Sequence, residues 1–110
     1  MRVSINVRAL KNIIEGNKTI EGRLKYAIFS SLKINDEIIF YHKNIECKTI
    51  IVNINYYKGL IDYLKNENLK KIMPSVSNIL EAKKIYLKYY NKNKLDRYEF
   101  MAIHINLLTN

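Results

Sequence analysis

Residues Glu37–Tyr41 and Ile45–Asn55 alternate with a period of two on either side of a short polar break, His42-Lys43-Asn44. Successive side chains of a strand point to opposite faces, so two such runs joined by a polar turn read as a β-hairpin. Ile38 and Phe40 alternate with Ile39 and Tyr41, which predicts burial on both sides of the first strand. In the second strand, Glu46 and Lys48 open a face that continues as Ile50, Val52 and Ile54, while Cys47, Thr49 and Ile51 share the other.

The rest of the chain is ordered around that hairpin. Met1–Ile5 reads as a short strand, Asn6 as a cap, and Val7–Glu15 as a helix with Val7, Leu10, Ile13 and Ile14 at helical spacing. Gly16 stops it, since a residue without Cβ takes the left-handed cap at no steric cost. Lys18–Leu24 reads as extended, and Lys25–Ser31 as an irregular turn anchored by Ile28, Phe29 and Leu32. Tyr57–Lys65 predicts a helix, which Asn66–Met73 continues or follows with a further turn, and Pro74, the only proline, breaks whatever helix precedes it. Asn78 with Glu81 three residues on resembles a capping box for a helix over Ile79–Tyr90, whose inner stripe is Ala82, Ile85, Tyr86 and Tyr89. Asn91–Asp96 reads as a polar loop and Tyr98–Leu107 as a closing strand. Strands at both ends with helices inserted between predict an α+β chain, a single domain over 1–110 built as a partly closed mixed β-barrel with peripheral helices.

Composition narrows the function classes. A chain of 110 residues, 48% hydrophobic and 26% charged, reads as an ordinary globular chain and not a disordered one. No apolar run approaches the roughly 18 residues that a membrane span needs, so no membrane partner is expected and residence in the cytoplasm is the default. Cys47 is the only cysteine, which leaves no disulfide framework and reads as a small core residue, not a nucleophile. His42 and His104 are far apart and have no ligand partners at metal spacing, so neither a metal nor a cofactor is expected. His104, alternating on the last strand, reads as a satisfied barrel residue. The net charge of +9 and a pI near 9.6 fit a nucleic-acid or nucleotide partner.

The chemistry gathers in Gly16-Asn17-Lys18-Thr19-Ile20-Glu21-Gly22-Arg23. On a strand, Thr19, Glu21 and Arg23 share a face about 6.6 Å apart, with Lys18 at its mouth. A carboxylate beside an arginine and a lysine stays ionised and fixes both cations, which suits a guest carrying donors and acceptors. The competing reading is an exposed cross-face ion pair of about 0–1 kcal/mol.

Gly16, Lys18, Glu21 and Arg23 match the Gly-x-Lys-x-x-Glu-x-Arg signature of the ASCH domain, and the chain resembles that branch of the PUA-like β-barrel superfamily over roughly 10–105. Ile34-Asn35-Asp36-Glu37 is similar to the family's Gly-Asp turn, with Asn35 where glycine is usual and able to hold the same left-handed backbone. Tyr57–Leu64, Leu69–Pro74, Ala82–Tyr90 and Tyr98–Ile103 resemble its later helices and final strand in the expected order. The resemblance implies a PUA-like fold, a cleft lined by Lys18, Glu21 and Arg23, and RNA, a nucleotide or a modified nucleoside as partner. Thr19 belongs to the same set, and Tyr57 and Tyr98, with Tyr56, are candidates for stacking on a base.

The resemblance also carries an enzymatic alternative. One branch hydrolyses the amide of N-acetylcytidine with a threonine three residues after the lysine, and here that position is Glu21. Thr19 matches a different threonine of that branch, and its further glutamate has no counterpart near Ser75–Asn78. Glu21 as a base, with Lys18 as electrostatic stabiliser, would instead serve a ribonuclease or a different amidohydrolase. A third reading is a protein-interaction module on the same fold, its partner unspecified.

Overall fold

The computed structural model describes residues 1–108. In chain order these form β1 (Arg2–Ser4), α1 (Val7–Ile14), β2 (Ile20–Leu24), a 3-10 turn (Ala27–Ser31), β3 (Glu37–His42), β4 (Ile45–Tyr57), α2 (Leu60–Asn66), α3 (Leu69–Ile72), α4 (Ile79–Tyr89), α5 (Lys92–Arg97) and β5 (Phe100–Leu107). The strands make one sheet in the order β1-β3-β4-β5-β2, with β1 parallel to β3 and every other pair antiparallel. β1 and β2 are its two free edges, yet Ser4 of one and Glu21 of the other line the same cavity. The sheet therefore curls towards itself and stops short of closing. The fold is α+β, a half-barrel with helices around it.

Alternation on β5 divides the core. Met101, Ile103 and Ile105 face α1, where Leu10 and Ile13 pack with Val3, Ile38, Phe40 and Ile51. Phe100 and Ala102 face the other way, onto Tyr63, Leu64, Ala82 and Tyr86 of α2 and α4. Three of the expected turn signals hold at atomic level. Gly16 takes φ +81° and Asn35 φ +77°, while the Asn6 side chain accepts from the Ala9 amide at 2.8 Å. The cap of α4 differs in one detail: Asn78 accepts from the Glu81 amide, but the Glu81 carboxylate reaches back to the amide of Ser77.

Four expectations from the sequence are corrected. β4 runs on through Tyr57, because residues 53–57 pair with 100–104 of β5, so α2 starts only at Leu60. The ladder slips between Ile51 and Asn53, leaving Val52 as an exposed bulge residue. An extra residue inverts the alternation, and Ile54 joins the core side of Cys47 and Ile51, not the face of Ile50 and Val52. Asn91–Asp96 is not a loop: Asn91 caps α5, and the single apolar side chain of Leu95 buries against α4's side of the sheet. One buried leucine in a helix of six residues leaves no periodicity to read. Finally, Ile28 is exposed, and the 3-10 turn is held by Phe29 and Leu32 alone.

Candidate functional site: the open seam of the barrel

β2 is short and lies at an edge, with β5 at its side, α3 and the 3-10 turn against it, and Tyr63 of α2 and Tyr86 of α4 over its middle. Gly22 makes the middle of the strand possible. A Cβ there would sit 2.5 Å from the Tyr63 hydroxyl, 2.7 Å from the Tyr86 hydroxyl and 2.8 Å from Phe100 Cε1. This glycine is required by close approach and not by its dihedral angles. Its neighbours Glu21 and Arg23 point to the opposite face, across from Ile103 and Met101 of β5.

Glu21 is 8% exposed and both its oxygens are engaged. Oε1 meets Lys18 Nζ at 3.1 Å, and Oε2 accepts from Arg23 Nε at 2.9 Å with Arg23 Nη2 2.8 Å away in the ion pair. Burial alone would push the Glu21 carboxyl up; the charges and hydrogen bonds of Lys18 and Arg23 outweigh it and hold the group below its ordinary value. Burial likewise acts to lower the Arg23 guanidinium, and Glu21 outweighs it in the other direction.

Lys18 is not at the mouth of the strand. It is 6% exposed, and its ammonium donates to Ile20 O at 2.7 Å and Ile72 O at 2.8 Å besides meeting Glu21. An ammonium has three N–H groups, and all three are spent. Lys18 ties the end of α3 to β2 and fixes the carboxylate. Arg23 has five N–H groups and turns Nε and Nη2 to Glu21, its Nη1 has no hydrogen-bond partner among the described residues, and the guanidinium lies 4.9 Å from the Phe29 ring centroid.

These three side chains form part of the wall of a cavity of about 820 Å³ at the seam, within the size range of small-molecule sites. α1 contributes Arg8 and Asn12, the loop before α4 contributes Pro74 and Ser75, and α4 with its cap contributes Ile85, Tyr86, Tyr89 and Tyr90. Tyr90 directs its hydroxyl at Gly22 O, 3.4 Å away, and burial pushes it up to about 12. Tyr89 was expected in the inner stripe of α4 and is instead 69% exposed. The helix ends at Tyr89, and the extended Tyr90 takes the inward place.

Lys18, Glu21 and Arg23 thus converge as the motif predicts, and the other candidates lie elsewhere. The Thr19 backbone bonds to Lys71 O and the Ile105 amide, and the residue does not line the cavity. Tyr98 packs against Tyr26 with centroids 4.8 Å apart, away from the seam. Tyr57 belongs to a separate polar cluster in which Glu67 accepts from the Tyr57 hydroxyl, from Asn55 at 2.9 Å and from His104 at 2.7 Å. His104 is therefore a partnered barrel residue. Its partner Glu67 is invisible in the sequence because the contact spans 37 residues. Arg8, Tyr89 and Tyr90 were missed as wall residues; the Tyr89-Tyr90 doublet at a helix end was the one available signal. Among the described residues no three of His, Cys, Asp and Glu come together as a metal cluster.

The fold has known counterparts. Hypothetical protein PH0355 superposes with a TM-score of 0.90 at 27% identity, covering 97% of each chain. Protein PF0455 from Pyrococcus furiosus gives 0.82 at 28%, covering 99% of this chain and 97% of its own. ASCH from Zymomonas mobilis gives 0.65 at 15% identity, covering 96% of this chain and 65% of its own. The half-barrel therefore has the fold of that ASCH structure, and at this identity the likeness is one of fold alone. No protein-family model matches the sequence, and no curated protein does. No helix among the described residues is long and apolar enough to cross a membrane.

Proposed function

We propose that the seam cavity binds a nucleobase, as part of RNA or of a nucleotide or modified nucleoside, in a cytoplasmic protein. The observation that carries this reading is the division of labour in the triad. Lys18 and Glu21 cancel each other, while the Arg23 guanidinium directs one edge at the fixed carboxylate and its Nη1 has no hydrogen-bond partner among the described residues. Donors held rigidly in a half-buried wall suit the carbonyl edge of a base, and Tyr90 and Tyr86 offer ring surface nearby. The charge of +9 favours a phosphorylated partner.

Hydrolysis with Glu21 as the base is the weaker reading. Three donors hold its carboxyl below the ordinary range, which lowers its basicity where a general base works best near the operating pH. Thr19 does not line the cavity, so it supplies no nucleophile there.

The test begins with the ultraviolet absorbance ratio of the purified protein and mass spectrometry of anything that co-purifies. An equimolar mixture of the four ribonucleoside 5′-monophosphates and a labelled hexanucleotide of random sequence are then titrated. Arg23→Gln should weaken binding about tenfold or more, as loss of hydrogen bonds from a charged donor implies. Absence of any binding by the wild-type protein to both probes, with nothing co-purifying, refutes the reading.

A further inference from the structure

Once Lys18 and Glu21 have cancelled, two cations remain on the cavity wall, Arg23 within and Arg8 at the exposed rim. Arg8 has no ion-pair partner among the described residues, and Glu21 is the only acid on the wall. Tyr89 lines the same cavity, and at 69% it is the most exposed of the large hydrophobic residues described. An aromatic ring left in water at a cavity mouth, sharing that mouth with an unpaired guanidinium, is costly as packing and useful as a platform.

We propose that this rim is a second subsite, in which Arg8 holds a phosphodiester and Tyr89 stacks on the base next to the one in the cavity. The ligand is then a single-stranded nucleic acid segment and not a free nucleoside. This rests on the base-binding reading of the cavity and adds a ligand class to it. Single strands are recognised through two chemistries, cations along the backbone and rings beneath successive bases, and the rim has one of each. It lies outside the Lys18–Glu21–Arg23 motif, on α1 and the end of α4.

The test compares the labelled random hexanucleotide with the mixture of four ribonucleoside 5′-monophosphates. The wild-type protein should prefer the hexanucleotide. Tyr89→Ser should cut that preference about 5- to 150-fold, the range of one base–aromatic stack. Arg8→Gln should also cut it, and should lower the slope of log affinity against log salt by about 0.7, the share of one phosphate contact on a single strand. Both residues are exposed, and circular dichroism with a thermal melt confirms that the variants fold. If the wild-type protein binds neither probe, the cavity reading has failed. If it binds both equally, or binds the hexanucleotide better with preference and slope unmoved by either substitution, the cavity reading stands and the rim subsite is overturned.

Discussion

Gly22→Ala is the substitution whose outcome the packing fixes most tightly. The added methyl meets Tyr63 and Tyr86 hydroxyl oxygens and a Phe100 ring carbon, all within 2.8 Å. None of these can swing away: Tyr63 and Phe100 are fully buried, and Tyr63 and Tyr86 share a hydrogen bond of 2.9 Å. Forcing a methyl into a filled core costs about 1–3 kcal/mol. Separating the two hydroxyls leaves buried polar groups unmade, another 1–3 kcal/mol or so. The combined destabilisation is then about 2–6 kcal/mol, against a total of about 5–15 for a chain of this size. Near the midpoint, one kcal/mol corresponds to about 4 °C for 110 residues, so Tm should fall by about 8–24 °C. Differential scanning calorimetry reads this directly. Gly59→Ala is the control: nothing lies within 4 Å of its Cβ, its backbone is extended, and the change should stay within about 2 °C. A Gly22→Ala melt within 3 °C of wild type would refute the claim that β2 depends on contact between its backbone and the tyrosine pair.

Glu21→Gln should lower stability by about 3–5 kcal/mol, because it strands the buried Lys18 cation; urea denaturation at neutral pH measures it. The folded-state value of Glu21 lies below its ordinary 4.5, so its contribution is present above that pH and is lost as pH falls through the folded value. The stability gap between wild type and Glu21→Gln should therefore shrink on acidification below about 4.5, and a gap constant with pH would contradict the ion triad. Ala27 holds φ +53°, a conformation that costs a residue with Cβ about 1 kcal/mol, so Ala27→Gly should leave Tm unchanged or raise it by up to about 4 °C. Alkaline spectrophotometric titration should find phenols that ionise only near pH 12, with Tyr57 and Tyr90 among them; Tyr57→Phe and Tyr90→Phe should each remove one.

Much of the fold was legible because it is periodic or stereochemically singular. The 37–55 hairpin, the stop at Gly16, the left-handed Asn35 and the cap at Asn6 each follow from a local rule acting over a few residues. The elements that were misread lacked such a rule. The bulge at Val52 has no signature, since any apolar residue fits either side of the slip. α5 hangs on Leu95 alone, and the strand through Tyr57 exists because β5 is there to pair with it. In the site, three residues of the motif could be brought together on paper, but their roles could not be told apart.

The sequence by itself determined that Glu21 and Arg23 would be neighbours, because residues two apart on a strand share a face. It determined the α+β order and the basic charge as well. Lys18 lies an odd number of positions from both, and only the tertiary structure brings its ammonium to Glu21. Only the tertiary structure decided which cation is free. Ile72 O, 54 residues from Lys18, takes one ammonium proton and helps to saturate it, and that leaves Arg23 as the donor. The curl of the sheet, which brings β1 and β2 to one seam, likewise places Arg8 and Tyr89 at its mouth. Hydrogen-bond saturation depends on every acceptor within reach, and most of those acceptors come from segments remote in the chain.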